Sequence, residues 1–106
     1  MLVVIFRATI RDLDDEYRRT AQRLRELALG RYGCRGFHSV TEGRQEVSLS
    51  YWPSAASIRA WKADSEHAAA QRLGRERWYE SYTVEVAEIT RGYRMQPPAA
   101  GPAASG

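Results

Sequence analysis

Residues 51–82, YWPSAASIRAWKADSEHAAAQRLGRERWYESY, carry all three tryptophans of the chain, three of its six tyrosines and one of its two histidines. Aromatic side chains bury large rigid areas, and those with polar tips need partners once buried, so this density marks a lined cavity or an interface. Pro53 and Ser54 open a short helix, with Ser54 as N-cap and 55–62 as its body, which sets Ile58 and Trp61 one turn apart. Asp64 or Ser65 caps a further helix that carries His67, Ala68, Ala69, Ala70 and Leu73 and stops at Gly74. Beyond the polar corner RER, Tyr82, Val84 and Val86 alternate with Thr83, Glu85 and Ala87 as a strand does.

Upstream of the stretch, Val47, Leu49 and Tyr51 alternate with Glu46, Ser48 and Ser50, and a strand over 37–41 joins them through the turn EGR, where Gly43 takes positive φ. Alternation also sends Tyr51 and Trp52 to opposite surfaces. Residues 2–10, LVVIFRATI, are apolar on both sides, Val3 and Ile5 on one and Leu2, Val4 and Phe6 on the other, which is the pattern of a strand covered on both faces. The segment DLDDE then opens a helix, with Asp12 as cap and Asp15 three positions on, and Leu13, Tyr17, Ala21, Leu24 and Ala28 form its apolar stripe up to Gly30.

The order β-α-β-β-α-α-β predicts an α+β fold of the ferredoxin-like, split βαβ type: a four-stranded antiparallel sheet with helices on one face. The other face needs a cover, and a second copy of the chain is the simplest one, so a homodimer is expected. Residues 1–94 make one domain, and 95–106, rich in Pro, Ala and Gly, are expected to be a flexible tail.

Composition narrows the function classes. An apolar fraction of 43% and a charged fraction of 27% are ordinary for a globular domain. The net charge of +3 comes almost entirely from arginines spread along the chain with acids between them, a solvated surface rather than a nucleic-acid stripe. The run LVVIF is too short to span a membrane and lacks the flanks of a secretory signal, so no membrane partner is expected and the cytoplasm is the expected location. The lone Cys34 has no partner for a disulfide and reads as a small core residue. One cysteine and two distant histidines make no metal site, and no phosphate loop or Ser/His/Asp arrangement is present.

The segments LxxxxYGCxGF (27–37), SLSYW (48–52), AW (60–61), EHxxAQxxGRExWYxxY (66–82) and VAEIxRxY (86–93) together resemble the antibiotic biosynthesis monooxygenase family of the dimeric α+β barrel superfamily. The resemblance covers roughly residues 2–94. It implies a homodimer, a cavity between sheet and helices, and oxygen insertion into an aromatic, polyketide-like small molecule with O2 and without a cofactor. A second branch of the superfamily degrades heme with an Asn on the first strand, a Trp on the short helix and a ligating His on the next. Only the Trp is matched here, by Trp61, since Phe6 stands at the Asn position and Gln71 at the His position. Heme is therefore the alternative cofactor, and a small-ligand-binding dimer without catalysis is a third reading.

His67 is the titratable side chain of the aromatic stretch suited to proton transfer, and its place in the first turn of a helix favours neutral imidazole. His67 and Trp61 are thus the candidate catalytic residues. Phe6, Tyr51, Trp52, Gln71, Trp78 and Tyr82 are the candidate substrate-binding residues, and Tyr79 is a further possible donor to a bound oxyanion. His38 is expected at an exposed or dimer-facing position, and Arg75 with Glu76 as a surface ion pair.

Overall fold

The computed structural model describes residues 1–97, and the remainder of the expected tail lies outside the described residues. Strands β1 (Leu2–Ile10), β2 (Gly36–Glu42), β3 (Gln45–Trp52) and β4 (Tyr79–Glu88) form one sheet in the order β2-β3-β1-β4, with every neighbouring pair antiparallel. Helix α1 (Asp15–Gly30) follows β1, while α2 (Ala55–Ala63), α3 (Ser65–Leu73) and a π-helical turn at Gly74–Trp78 connect β3 to β4. This is the expected split βαβ architecture. The β2–β3 hairpin turns at Gly43, whose φ of +59° is the left-handed region that glycine enters without steric cost.

Register decides which side chains meet the helices. Val4 lies opposite Ser50 and Val86, Phe6 opposite Ser48 and Val84, and Ala8 opposite Glu46 and Tyr82. From this face Val4 and Trp52 join Leu27, Ala28, Cys34, Ile58 and Trp61 in the core, and Trp52 is wholly enclosed. The Cys34 thiol sits within that core and donates to the Gly36 carbonyl at 3.1 Å. On the other face Val3, Ile5, Val47, Leu49 and Tyr51 are only half-buried, and Val40 is 69% exposed.

Three local expectations are corrected. The cap of α1 is Asp14, not Asp12: its carboxylate accepts from the Tyr17 backbone N–H at 2.8 Å, so Leu13 precedes the helix. Asp14 is selected by distant partners, taking a guanidinium hydrogen bond from Arg77 at 2.7 Å and one from Trp78 Nε1 at 3.1 Å. The expected Arg75–Glu76 ion pair is not among those the described residues make. Arg77 is the paired residue instead, bridging Asp14 and Glu16, because the π turn rotates it toward the start of α1. Finally, the RER corner is not a loop but this π turn, and β4 begins at Tyr79 rather than near Tyr82.

Asp64 caps α3 through the Glu66 N–H at 2.8 Å and also receives the Tyr32 hydroxyl at 2.6 Å, which ties the α2–α3 junction to the end of α1. Those donors stabilise the ionised form, so the Asp64 carboxyl titrates below the usual carboxylate range, the Tyr32 hydrogen bond contributing most.

Candidate active site

Between the helix side of the sheet and the three helices lies a cavity of about 720 Å³, large enough for a polycyclic organic molecule. Two clusters furnish it. They are set apart along β3, because Trp52 belongs to one and Glu46 to the other, and six residues of strand span about 20 Å.

At the first cluster Trp61 packs on Trp52 with centroids 5.1 Å apart, meets Phe37 edge-on at 6.1 Å and donates its Nε1–H to the Leu24 carbonyl at 3.3 Å. These contacts fix the indole. His67 then stands edge-on to it at 4.3 Å, placed there because position 67 falls in the first turn of α3, one short connection after α2. Burial is the main cause that lowers the His67 pKa to about 4, with nearby Lys62 adding to it and Asp64 opposing. Nδ1 is sealed from solvent with no hydrogen-bond partner, which leaves Nε2 as the nitrogen available to a ligand. The ring is therefore neutral at neutral pH.

At the second cluster Glu46 is 4% exposed and accepts hydrogen bonds from the hydroxyls of Tyr17 and Tyr79, the latter at 3.0 Å. Ala8, its partner on β1, leaves room for this side chain. Burial first, and then the Glu46 charge, push both tyrosine hydroxyls well above their usual range, so both remain donors. Phe6 packs on Tyr79 at 5.3 Å and on Tyr82 at 5.6 Å, and Trp78 meets Tyr17 edge-on at 5.4 Å. The π turn makes this assembly possible by delivering Trp78 and Tyr79 in succession, and a register shift at Thr9/Ile10 lets β4 start there.

Of the residues singled out in the sequence, Phe6, Trp61, His67, Gln71, Trp78 and Tyr82 come together on the cavity wall. Tyr51 and Trp52 do not. Tyr51 lies on the opposite face of the sheet against His38, at 6.1 Å, and Trp52 is core behind Trp61, its Nε1 donating to Ser50 Oγ at 2.8 Å. Sequence reasoning missed Glu46 and Tyr17. The only available signal was that Glu46, Ser48 and Ser50 share a face with Trp52, and that this polar set, not the apolar Val47, Leu49 and Tyr51, meets the helices.

No protein-family profile matches this chain. The Bacillus subtilis protein YqjZ, itself uncharacterized, is 40% identical over 89 residues, which span 83% of this chain and 78% of YqjZ. The chain belongs to the YqjZ family. Solved structures show which fold that family has. Rv0793 from Mycobacterium tuberculosis superposes with a TM-score of 0.75 at 16% identity, over 88% of this chain and 98% of its own. SnoaB of Streptomyces nogalater, a cofactor-independent oxygenase, follows with 0.72 at 12% identity over 86% and 94%. An antibiotic biosynthesis monooxygenase gives 0.70 at 17% over 86% and 100%. The fold of this YqjZ relative is that of the antibiotic biosynthesis monooxygenases, as the sequence resemblance implied.

Heme is the alternative cofactor expected from the sequence, and the residues at the positions of that pattern are not the ones it uses. Phe6 is engaged with Tyr79 and Tyr82 and offers no hydrogen bond to an iron-bound ligand, and Gln71 supplies no imidazole. The nearest imidazole, His67, lies four positions before Gln71, one helical turn from the place where that pattern puts its ligand.

Proposed function

We propose that the protein is a cofactor-independent monooxygenase-like enzyme that acts, as a cytoplasmic homodimer, on an electron-rich phenolic or polycyclic small molecule. The observation that carries this reading is a large aromatic-walled cavity with a neutral, desolvated imidazole on its wall. SnoaB, a cofactor-independent oxygenase, shares the fold and lends support.

His67 takes a proton from an activated ring methylene of the substrate. The low basicity of the buried imidazole makes that transfer uphill, and it is drawn forward as the carbanion passes one electron to O2. Superoxide and the substrate radical then combine to a peroxide anion, which takes the proton back from His67, and loss of water from the resulting hydroperoxide leaves a carbonyl. One oxygen atom ends in product and one in water, so the substrate methylene supplies all four electrons that reduce O2. The chain contributes positioning by Trp61 and Phe6 and the exclusion of water from the radical pair.

The experiment is oxygen uptake with a panel of anthrone-like and naphthol-like phenols. Uptake that is stoichiometric with carbonyl product supports the proposal. Saturable quenching of tryptophan fluorescence without uptake by any phenol would assign a binding protein instead.

A further inference from the structure

The chemistry above leaves Glu46 unused, although it is the most deeply buried charged side chain on the cavity wall. Among the described residues every ion pair involves other carboxylates, and none brings Lys, Arg or His to Glu46. A buried carboxylate without a countercharge is strongly unfavourable, and hydrogen bonds from two neutral tyrosines offset only part of that cost. Each carboxylate oxygen receives one hydroxyl, whereas a carboxylate can accept about four donors. Charge and acceptor capacity both remain unsatisfied.

The surroundings match that deficit. Phe6, Tyr79 and Tyr82 form a triangle of rings with centroid separations of 5.3, 5.6 and 6.2 Å, all three on the cavity wall, and Tyr79 ties the triangle to the carboxylate through its hydroxyl. Ring faces carry negative quadrupole potential and attract a cation within about 6 Å, most strongly where water is excluded. Neither tyrosine hydroxyl at Glu46 supplies a positive charge of its own.

We propose that this end of the cavity is a recognition subsite for an organic ammonium group, held beside the ring cluster of Phe6, Tyr79 and Tyr82 and neutralised by Glu46. The cavity then selects aromatic molecules that carry a cationic amine, with the amine at the Glu46 end and the rest of the molecule reaching toward Trp61. The subsite is a matter of binding and stands whether or not the protein consumes oxygen.

The test compares benzyltrimethylammonium with its neutral carbon isostere, neopentylbenzene, by calorimetry and tryptophan fluorescence on the full-length protein. A quaternary ammonium has no N–H, so the pair isolates charge from hydrogen bonding. The cation should bind at least about tenfold tighter than the isostere, and Glu46→Gln should abolish that difference while leaving the isostere's affinity unchanged. Glu26→Gln, at another acid on the cavity wall, should leave the preference intact. If Glu46→Gln fails to fold, Tyr82→Leu replaces it: loss of one ring should weaken the cation more than the isostere. Equal affinities in the native protein, or a cation preference that persists in Glu46→Gln, would overturn the subsite.

Discussion

The His67 ring meets Trp61 at 76°, edge to face, with 4.3 Å between centroids. The tryptophan is itself fixed by Trp52 and by the Leu24 carbonyl, so imidazole orientation is inherited from the core rather than from a hydrogen bond to the histidine. His67→Ala should therefore remove turnover by a factor of about 10² to 10⁴, the usual worth of general base catalysis, while substrate affinity by fluorescence quenching changes little. Undiminished oxygen uptake in that variant would take His67 out of the mechanism.

The same burial makes stability depend on pH. His67 titrates near 4 when folded and near its ordinary 6.5 when unfolded, so between those values the unfolded chain binds more protons. Its contribution is fully present above about pH 6.5 and is lost as pH falls toward 4, on the order of 3 kcal/mol in all. Urea denaturation at pH 7 and pH 4.5 should show this loss. His67→Phe should flatten the slope in that window, and an unchanged slope would mean that other groups produce it.

Val3, Ile5, Leu49 and Tyr51 on the helix-free face present apolar area worth roughly 25 cal/mol per Å² if covered. Light scattering at micromolar concentration should give the mass of a dimer, with a melting temperature that rises with protein concentration. Leu49→Arg, at the middle of that face, should yield monomers of lower Tm. A native monomer whose Tm ignores dilution would mean that this face is stable in water.

Added hemin should give no sharp Soret band and no reductant-driven loss of the porphyrin spectrum, because the Phe6 and Gln71 positions supply neither hydrogen bond nor ligand. A stoichiometric band that disappears in His67→Ala would reverse the order of the two oxygenase readings.

Gly74 offers a further check on the second cluster. A Cβ there would meet the Tyr79 ring at 3.1 and 3.3 Å, so Gly74→Ala must displace a residue that hydrogen-bonds Glu46. The clash should outweigh the helix propensity gained, with a net loss of about 1 to 2 kcal/mol by thermal denaturation. A stabilised variant would show that the ring moves freely.

The four strands and the hairpin were legible because the strand alternation and the turn at Gly43 are local signals. The two short helices that carry Trp61 and His67 were legible too, from the capping signals at Ser54 and at Asp64 or Ser65. Glu46 was not. Its alternation with Val47 says that the two point to opposite sides but not which side meets the helices, and a buried acid next to serines looks like a wet edge. The cap at Asp14 and the pairing of Arg77 were hidden for a related reason: their partners lie more than 60 residues away, and a π turn sets the direction. Tyr51 and Trp52 have the composition of pocket residues, and only the third dimension assigns one to the outer face and the other to the core.

The Arg7–Glu85 pair joins positions 78 apart in the chain, across β1 and β4. β4 brings Tyr79, Tyr82 and Val84 to the cavity, so one wall is absent until β4 has left the ribosome and docked on β1. Closing so long a loop is entropically costly and slow compared with forming the hairpin or the helices. A growing chain therefore has a scaffold before it has this cavity, and a ligand bound between β4 and the helices would act as a clasp on the last-closing seam of the fold.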